Sequence, residues 1–246
     1  MTTALRLVRS AAEGLAYEYD LFTAKGPQVG IWTATDNALV CPRAYRRRDG
    51  FDRACEASAA RGWPVFQRPT GGGVVPQGPM VSNLALAFDA PKTFKIEDGY
   101  RLLVGVIKAG LGGHGVALET GETPRSFCNG TWNLSVGSQK IVGTAQRWRP
   151  VPGGLTRVLA HALILVHDTH DVGADAVSAF HNDLGLAPVD ANAHTSLEAA
   201  FGLPALPDTI IRNAATSALR SLGTITTTKG TITGRKPCPT KQSTSI

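Results

Sequence analysis

Residues 68–79 read Arg-Pro-Thr-Gly-Gly-Gly-Val-Val-Pro-Gln-Gly-Pro, and no regular element can run through such a stretch. Three consecutive glycines lose more backbone freedom on ordering than any other residues. They are kept where φ must be positive or where a ligand approaches the main chain closely. Val65-Phe66-Gln67 before them reads as a strand. After them, from Asn83 to Phe88, Leu84, Leu86 and Phe88 alternate with Ala85 and Ala87 at the period of a strand. The chain must therefore fold as a sheet protein with a glycine-rich turn between two strands. The turn lacks the G-x-x-x-x-G-K-[ST] pattern, and Pro76 takes the last glycine position of a G-x-G-x-x-G fingerprint. Arg68 stands directly before the glycines, and a fixed guanidinium beside open backbone N–H groups suits a carboxylate or a phosphate.

The flanking segments extend the same picture. Leu5 to Val8, Val29 to Thr33 and Ala38 to Cys41 read as strands, and Val158 to Val166 as a longer apolar one. Thr131 to Val136, a Gly137-Ser138 break and Lys140 to Trp148 predict a β-hairpin. Helical spacing predicts helices over 11–24, with Leu15, Tyr19 and Phe22 inward, over 52–60, ending at Gly62 and Pro64, and over 97–111, burying Leu102, Leu103, Val106, Ile107 and Leu111. After residue 172 short helices follow. Thr195 with Glu198 fits a capping box, and Ile210, Ile211, Ala214, Ala215 and Leu219 suit a last helix. The expected organisation is a sheet-rich domain over 1–170, a small helical extension over 172–222, and a disordered basic tail over 224–246. That tail holds four of the six net positive charges and no acid.

The charge pattern therefore gives little support to nucleic-acid binding, since the body carries only Arg46-Arg47-Arg48 as a dense cluster. No apolar run is long enough for a membrane span. Arg6 and Arg9 interrupt the only stretch resembling a leader, and four cysteines without C-x-x-C spacing suit a reduced, cytoplasmic protein. His167-x-x-His170 stands alone, and no metal-ligand constellation or G-x-S-x-G motif appears.

Two further residues carry chemistry. Cys128 lies in a loop, Arg-Ser-Phe-Cys-Asn-Gly-Thr-Trp, where a nearby cation would favour the nucleophilic thiolate over the bland alternative of an incidental buried thiol. Lys140 opens the strand Lys-Ile-Val-Gly-Thr-Ala-Gln-Arg-Trp. By itself it reads as an exposed edge lysine. The small residues Gly143, Thr144 and Ala145 beside it instead suggest close approach of a ligand whose carbonyl or phosphate oxygen the ammonium could neutralise.

Taken together, Arg68-Pro69-Thr70-Gly71-Gly72-Gly73, Asn83-Leu84, Lys140-x-x-Gly143-x-Ala145-Gln146 and His161 resemble, in order and spacing, the lipoate/biotin protein ligase superfamily. The similarity is greatest to lipoate-protein ligases and octanoyltransferases. It implies an α/β (α+β) fold, a mixed β-sheet flanked by helices. It also implies a tunnel for a medium-chain acyl group and transfer of that group to a lysine of a lipoyl domain. Substrate-binding roles fall by the same resemblance on Arg68, Gly71, Gly72, Gly73, Asn83, Gly143, Thr144, Ala145 and His161, and catalytic roles on Cys128 and Lys140. Gln67, Pro76-Gln77 and Ala162 depart from the pattern, which has a second arginine, a His-Asp pair and a glycine there.

The resemblance carries two mechanisms. In one, a cysteine placed like Cys128 accepts the acyl group as a thioester, from a donor such as an acyl carrier protein. In the other, ATP with magnesium activates free lipoate as an adenylate; otherwise no cofactor is implied. The implied partners are lipoyl domains of 2-oxoacid dehydrogenase complexes or the glycine cleavage H protein. A non-catalytic lipoyl or fatty-acid binder is a third expectation. For any transfer, deprotonating the acceptor lysine near neutral pH costs about 4–5 kcal/mol.

Overall fold

A computed structural model describes residues 5–229. Its elements are β1 (Arg6–Val8), α1 (Ala11–Thr23), β2 (Gln28–Ala34), β3 (Ala38–Pro42), α2 (Phe51–Ala60), β4 (Val65–Arg68), β5 (Val75–Gln77), β6 (Val81–Pro91) and α3 (Ile96–Leu111). After these come β7 (Glu119–Gly121), β8 (Asn133–Val136), β9 (Gln139–Val151), β10 (Leu155–Leu165), α4 (His170–Asp183), α5 (Leu197–Phe201) and α6 (Asp208–Lys229). No described helix is long and apolar enough to cross a membrane.

Seven strands form one mixed sheet in the order β1-β2-β6-β10-β9-β8-β7. Within this sheet only β1 and β2 pair in parallel. Period-two alternation divides the central strands between two faces. Leu84, Leu86, Val158, Ala160 and Ala162 point to one face, where α3 and α6 cover them. Ala85, Ala87 and Leu159 point to the other, against Leu21 and Phe22 of α1. Small side chains on this second face leave space above the sheet. A second sheet, β4-β3-β5, closes part of that space and packs with α2 and α4 around Cys41, Phe51, Val177 and Phe180. The mixed sheet flanked by helices matches the fold expected from the sequence.

Gly137 and Ser138 both take positive φ, 50° and 68°, as a two-residue hairpin of the primed type requires. Two short strands were not foreseen: β5, which contains Pro76, and β7, which is polar and exposed at the sheet's edge.

Three local expectations need correction. The inward face of α1 is Gly14, Glu18, Leu21 and Phe22, while Tyr19 is exposed. The rotation follows from Gly14, where a Cβ would overlap the Trp32 ring, so the indole lies directly against the helix. The cap of α5 is Ser196, whose hydroxyl accepts the Ala199 N–H at 3.0 Å, one residue after the Thr195 expected. On α6, Ile211, Ala215 and Leu219 are buried while Ile210 faces solvent.

The segment after β10 is fastened to the large sheet. The α6 helix lies along α3, with Gly110 against Ile211. His194 forms a parallel bridge with Lys140, and Thr195 N–H donates to the Lys140 carbonyl at 2.9 Å. The last turns of α6 enter the stretch expected to be a disordered tail; the rest of that stretch, 230–246, lies outside the described residues.

Candidate active site

A cavity of about 500 Å³ opens between the α1 face of the large sheet and the small sheet. Arg68, Asn83, Cys128 and Lys140 line it. So do Gly143, Thr144, Ala145 and His161. The residues that the sequence singled out from five separate segments thus meet in one hollow. Gly71, Gly72 and Gly73 are not among its lining residues; Gly72 and Gly73 lie against Cys128.

Lys140 is not an exposed edge lysine. It is 1% exposed, at the start of β9. Gly143 makes this possible, because a Cβ there would lie 3.2 Å from the lysine Cε and Nζ. The ammonium donates to the carbonyls of Phe127 and Cys128 at 2.5 and 2.7 Å. An ammonium has three protons, so one remains for a substrate oxygen. Burial pushes the Lys140 pKa down to about 8; negative charge on Cys128 opposes the shift and the Arg68 charge adds to it.

Arg68 answers differently from the sequence expectation. Its guanidinium is turned inward and used on main-chain oxygens, donating to Val40 at 2.9 Å, Gly71 at 3.0 Å and Gly73 at 2.7 Å. It ties the glycine loop to β3 and contributes charge to the hollow. Burial lowers its pKa, with Cys128 the largest opposing influence.

Cys128 sits directly above that loop. A Cβ on Gly72, at φ +100°, would lie 2.5 Å from the cysteine Sγ and 3.1 Å from an Arg68 nitrogen. A Cβ on Gly73 would lie 3.1 Å from the Cys128 Cα. The glycines are required here because the cysteine loop lies on their main chain. Cys128 itself has φ 59°, a left-handed conformation costly for a side-chain-bearing residue. Its neighbours hold it there. Asn133 donates to its carbonyl at 3.0 Å, and the Phe127 N–H donates to His194 Nε2 at 3.0 Å. The His194 and Phe127 rings stack 3.8 Å apart.

His161 occupies the middle of the wall. Its Nδ1 meets Glu18 Oε2 at 2.9 Å and its Nε2 meets Thr70 Oγ1 at 3.2 Å. The other Glu18 oxygen accepts the Trp32 indole N–H at 3.1 Å. Asn83 forms a reciprocal amide pair with Gln77, both bonds 2.9 Å. Gln77, where the resembled pattern has an acid, therefore keeps this corner neutral and satisfied.

Sequence reasoning missed Glu18, Trp32 and His194, and noted Gln77 only as a departure from the resembled pattern. Glu18 lies off the α1 face expected inward from Leu15, Tyr19 and Phe22, and only Gly14, one turn earlier, hints that its side of the helix is buried. His194 lies 67 residues from the loop that it supports. Among the described residues no group of three His, Cys, Asp or Glu side chains could hold a metal ion. Cys41, Cys55 and Cys128 are free thiols, and burial pushes the Cys41 pKa up to about 12.

Comparison with known proteins fits this geometry. The family model described as the lipoyl protein ligase A/B catalytic domain matches residues 11–182. An uncharacterized protein of Cupriavidus necator is 40% identical over 157 residues, covering 58% of this chain and 62% of that protein. An octanoyl-[GcvH]:protein N-octanoyltransferase of Kyrpidia tusciae is 37% identical over 180 residues, covering 70% of this chain and 61% of that enzyme. The chain thus spans a little over three-fifths of the length of these curated relatives. Among solved structures, lipoate-protein ligase A bound with ATP superposes with a TM-score of 0.64 at 18% identity, over 91% of this chain and 86% of that one. A bi-partite lipoate protein ligase with its E2 lipoyl domain from Thermoplasma acidophilum gives 0.60 at 16% identity, over 91% and 84%. These structural likenesses establish the shared fold.

Proposed function

The chain belongs to the lipoyl protein ligase A/B catalytic-domain family, an enzyme family acting in lipoyl or octanoyl transfer or ligation, and from that premise we propose that it transfers such a group to the acceptor lysine of a lipoyl domain through a thioester on Cys128. The observation that carries the proposal is the meeting of Cys128 and Lys140 at one cavity, with the lysine ammonium seated on the cysteine's own carbonyl.

The steps follow from the groups present. The Cys128 sulfur attacks the carbonyl carbon of the acyl donor, forming the carbon–sulfur bond. The donor's leaving group departs with the proton given up by the thiol. Charge accumulating on the carbonyl oxygen is met by the remaining Lys140 proton, in a hollow where a fixed cation acts more strongly than in water. The acceptor lysine, as a neutral amine, then attacks the thioester, loses a proton, and releases the cysteine. A thiol used this way must stay reduced, which suits a cytoplasmic setting. The octanoyltransferase relatives support an octanoylated H-protein domain as donor, with an acyl carrier protein as the other candidate.

A second reading is an ATP-dependent ligase that passes lipoate through lipoyl-adenylate. The overlap of nine-tenths of the chain with the fold of lipoate-protein ligase A favours it, and Lys140 would serve that acyl carbonyl equally well. Intact-mass measurement decides between them. The protein is mixed with octanoylated carrier protein, with octanoylated H protein, and with lipoate plus ATP. The thioester route predicts a hydroxylamine-sensitive octanoyl adduct that Cys128→Ser abolishes. Full activity of Cys128→Ser with lipoate and ATP selects the ligase. Product formation undiminished in Lys140→Ala would remove the catalytic assignment and leave a binding protein.

A further inference from the structure

The hollow does not end at His161. Consecutive rungs of β9 and β10 on the α1 face pair Gly143 with Leu163, Ala145 with His161, Arg147 with Leu159 and Arg149 with Arg157. The reacting groups stand at the Gly143 rung. His161 stands one rung on, about 7 Å further, and Arg147 two rungs on, about 13 Å from the start. A second chamber of about 690 Å³ opens there, sharing Leu15, Glu18, Arg68 and His161 with the first. Its own lining adds Arg43, Arg147, Gln67 and Tyr19.

The charges of this chamber do not balance. Glu18 is its only acid, and both oxygens are taken by Trp32 and His161. Among the described residues neither Arg43 nor Arg147 has a carboxylate partner. Arg147 is held over the Phe22 ring at 4.7 Å and near Tyr19 at 6.0 Å. That stacking fixes the guanidinium plane and leaves its N–H edge for hydrogen bonds. The next arginine along the trough, Arg157, is by contrast satisfied by the carbonyls of Leu21, Phe22 and Gly26 and by Asp89. A greasy slot that leads to two uncompensated guanidinium groups is complementary to a chain with an acidic end.

We infer that this rear chamber is an anion subsite that takes the far end of an acyl chain terminating in a carboxylate. This deepens the acyl-transfer reading above and rests on it for the direction of the chain. The substrate class it adds is the medium-chain α,ω-dicarboxylic acyl group, held with one carbonyl at Cys128 and the other carboxylate between Arg43 and Arg147.

Calorimetric titration with free acids tests it without needing turnover. Dodecanedioic acid is expected to bind the wild-type protein about tenfold or more tightly than dodecanoic acid, the worth of one charge-assisted hydrogen bond or more. The double variant Arg43→Gln/Arg147→Gln should erase that preference and still bind the monoacid. Equal affinities in the wild type, or a preference that survives in the double variant, would overturn the subsite. Inorganic phosphate is the second arm. Phosphate that competes with the diacid, and does so only in the wild type, supports one shared anion site. Phosphate that binds through the same arginines while the diacid shows no preference would make this a free-anion site and overturn the acyl assignment. Transfer assays separate the two proposals. Diacid preference without any acyl transfer would sink the enzymatic reading alone, and octanoyl transfer without diacid preference would sink the subsite alone.

Discussion

Lys140 carries a cation where its surroundings oppose one. Burial lowers its pKa from 10.5 to about 8, while the protonated form is the better donor to the two carbonyls that it bonds. This gives activity and stability opposite responses to alkali. As pH rises through about 8 the ammonium becomes an amine, and the charge proposed to meet the carbonyl oxygen is lost, so the acyl-transfer rate should fall there. Over the window from about 8 to 10.5 the unfolded chain holds the proton that the folded chain has released, so this group's contribution to stability rises. A pH–rate profile beside thermal melts checks both. Lys140→Arg should move the falling limb upward, whatever its absolute rate, because a guanidinium keeps its proton. A wild-type rate that stays flat across the window would remove Lys140 from the reaction.

Elements show why some of this could be foreseen and some could not. Apolar periodicity alone located β2, β6, β10, α3 and the β8–β9 hairpin, because each buries a regular face. It missed β5, hidden in a Pro-Gly-rich stretch and held as a strand only by pairing with β3, and β7, which is polar. It rotated α1, because a helix's inward face is set by what packs on it. The glycine loop and Lys140 were legible as short motifs. That Lys140 would be buried was not, since its burial depends on the missing Cβ of Gly143 and on a loop twelve residues away. The α1–β2 contact makes its own prediction. Gly14→Ala improves intrinsic helix propensity by about 1 kcal/mol, yet its methyl group would overlap Trp32. Overpacking should win, with a net loss of roughly 1–2 kcal/mol in denaturant unfolding. Because Trp32 also bonds Glu18, acyl binding should weaken as well; a neutral or stabilising Gly14→Ala would mean that the helix can slide off the indole.

At the scale of the whole molecule, the cysteine loop is supported from outside the stretch that the family model matches. Asp190 N–H donates to the Arg125 carbonyl at 2.8 Å, His194 accepts from Phe127, and Gln139 donates to the carbonyls of Asn192 and His194, both at 3.1 Å. The chain after β10 therefore holds Cys128 in its left-handed conformation. His194→Ala removes a buried acceptor and a stacked ring, a cost of about 1–3 kcal/mol, and frees Cys128 to relax. The expected result is a tenfold or greater fall in transfer rate, with faster alkylation of Cys128 and continued resistance of Cys41. Unchanged kinetics on both counts would show that the loop keeps its shape unaided.

The bond between Phe127 N–H and His194 Nε2 also has a consequence for measurement. It fixes the imidazole as the neutral tautomer with its proton on Nδ1, facing the Ala191 carbonyl. It also gives a loop amide the protection of a core strand. In deuterium exchange, Phe127 should belong to the slow class together with the middle of β10, inside a loop whose flanks exchange quickly, and its signal would report directly on whether the segment around His194 is seated.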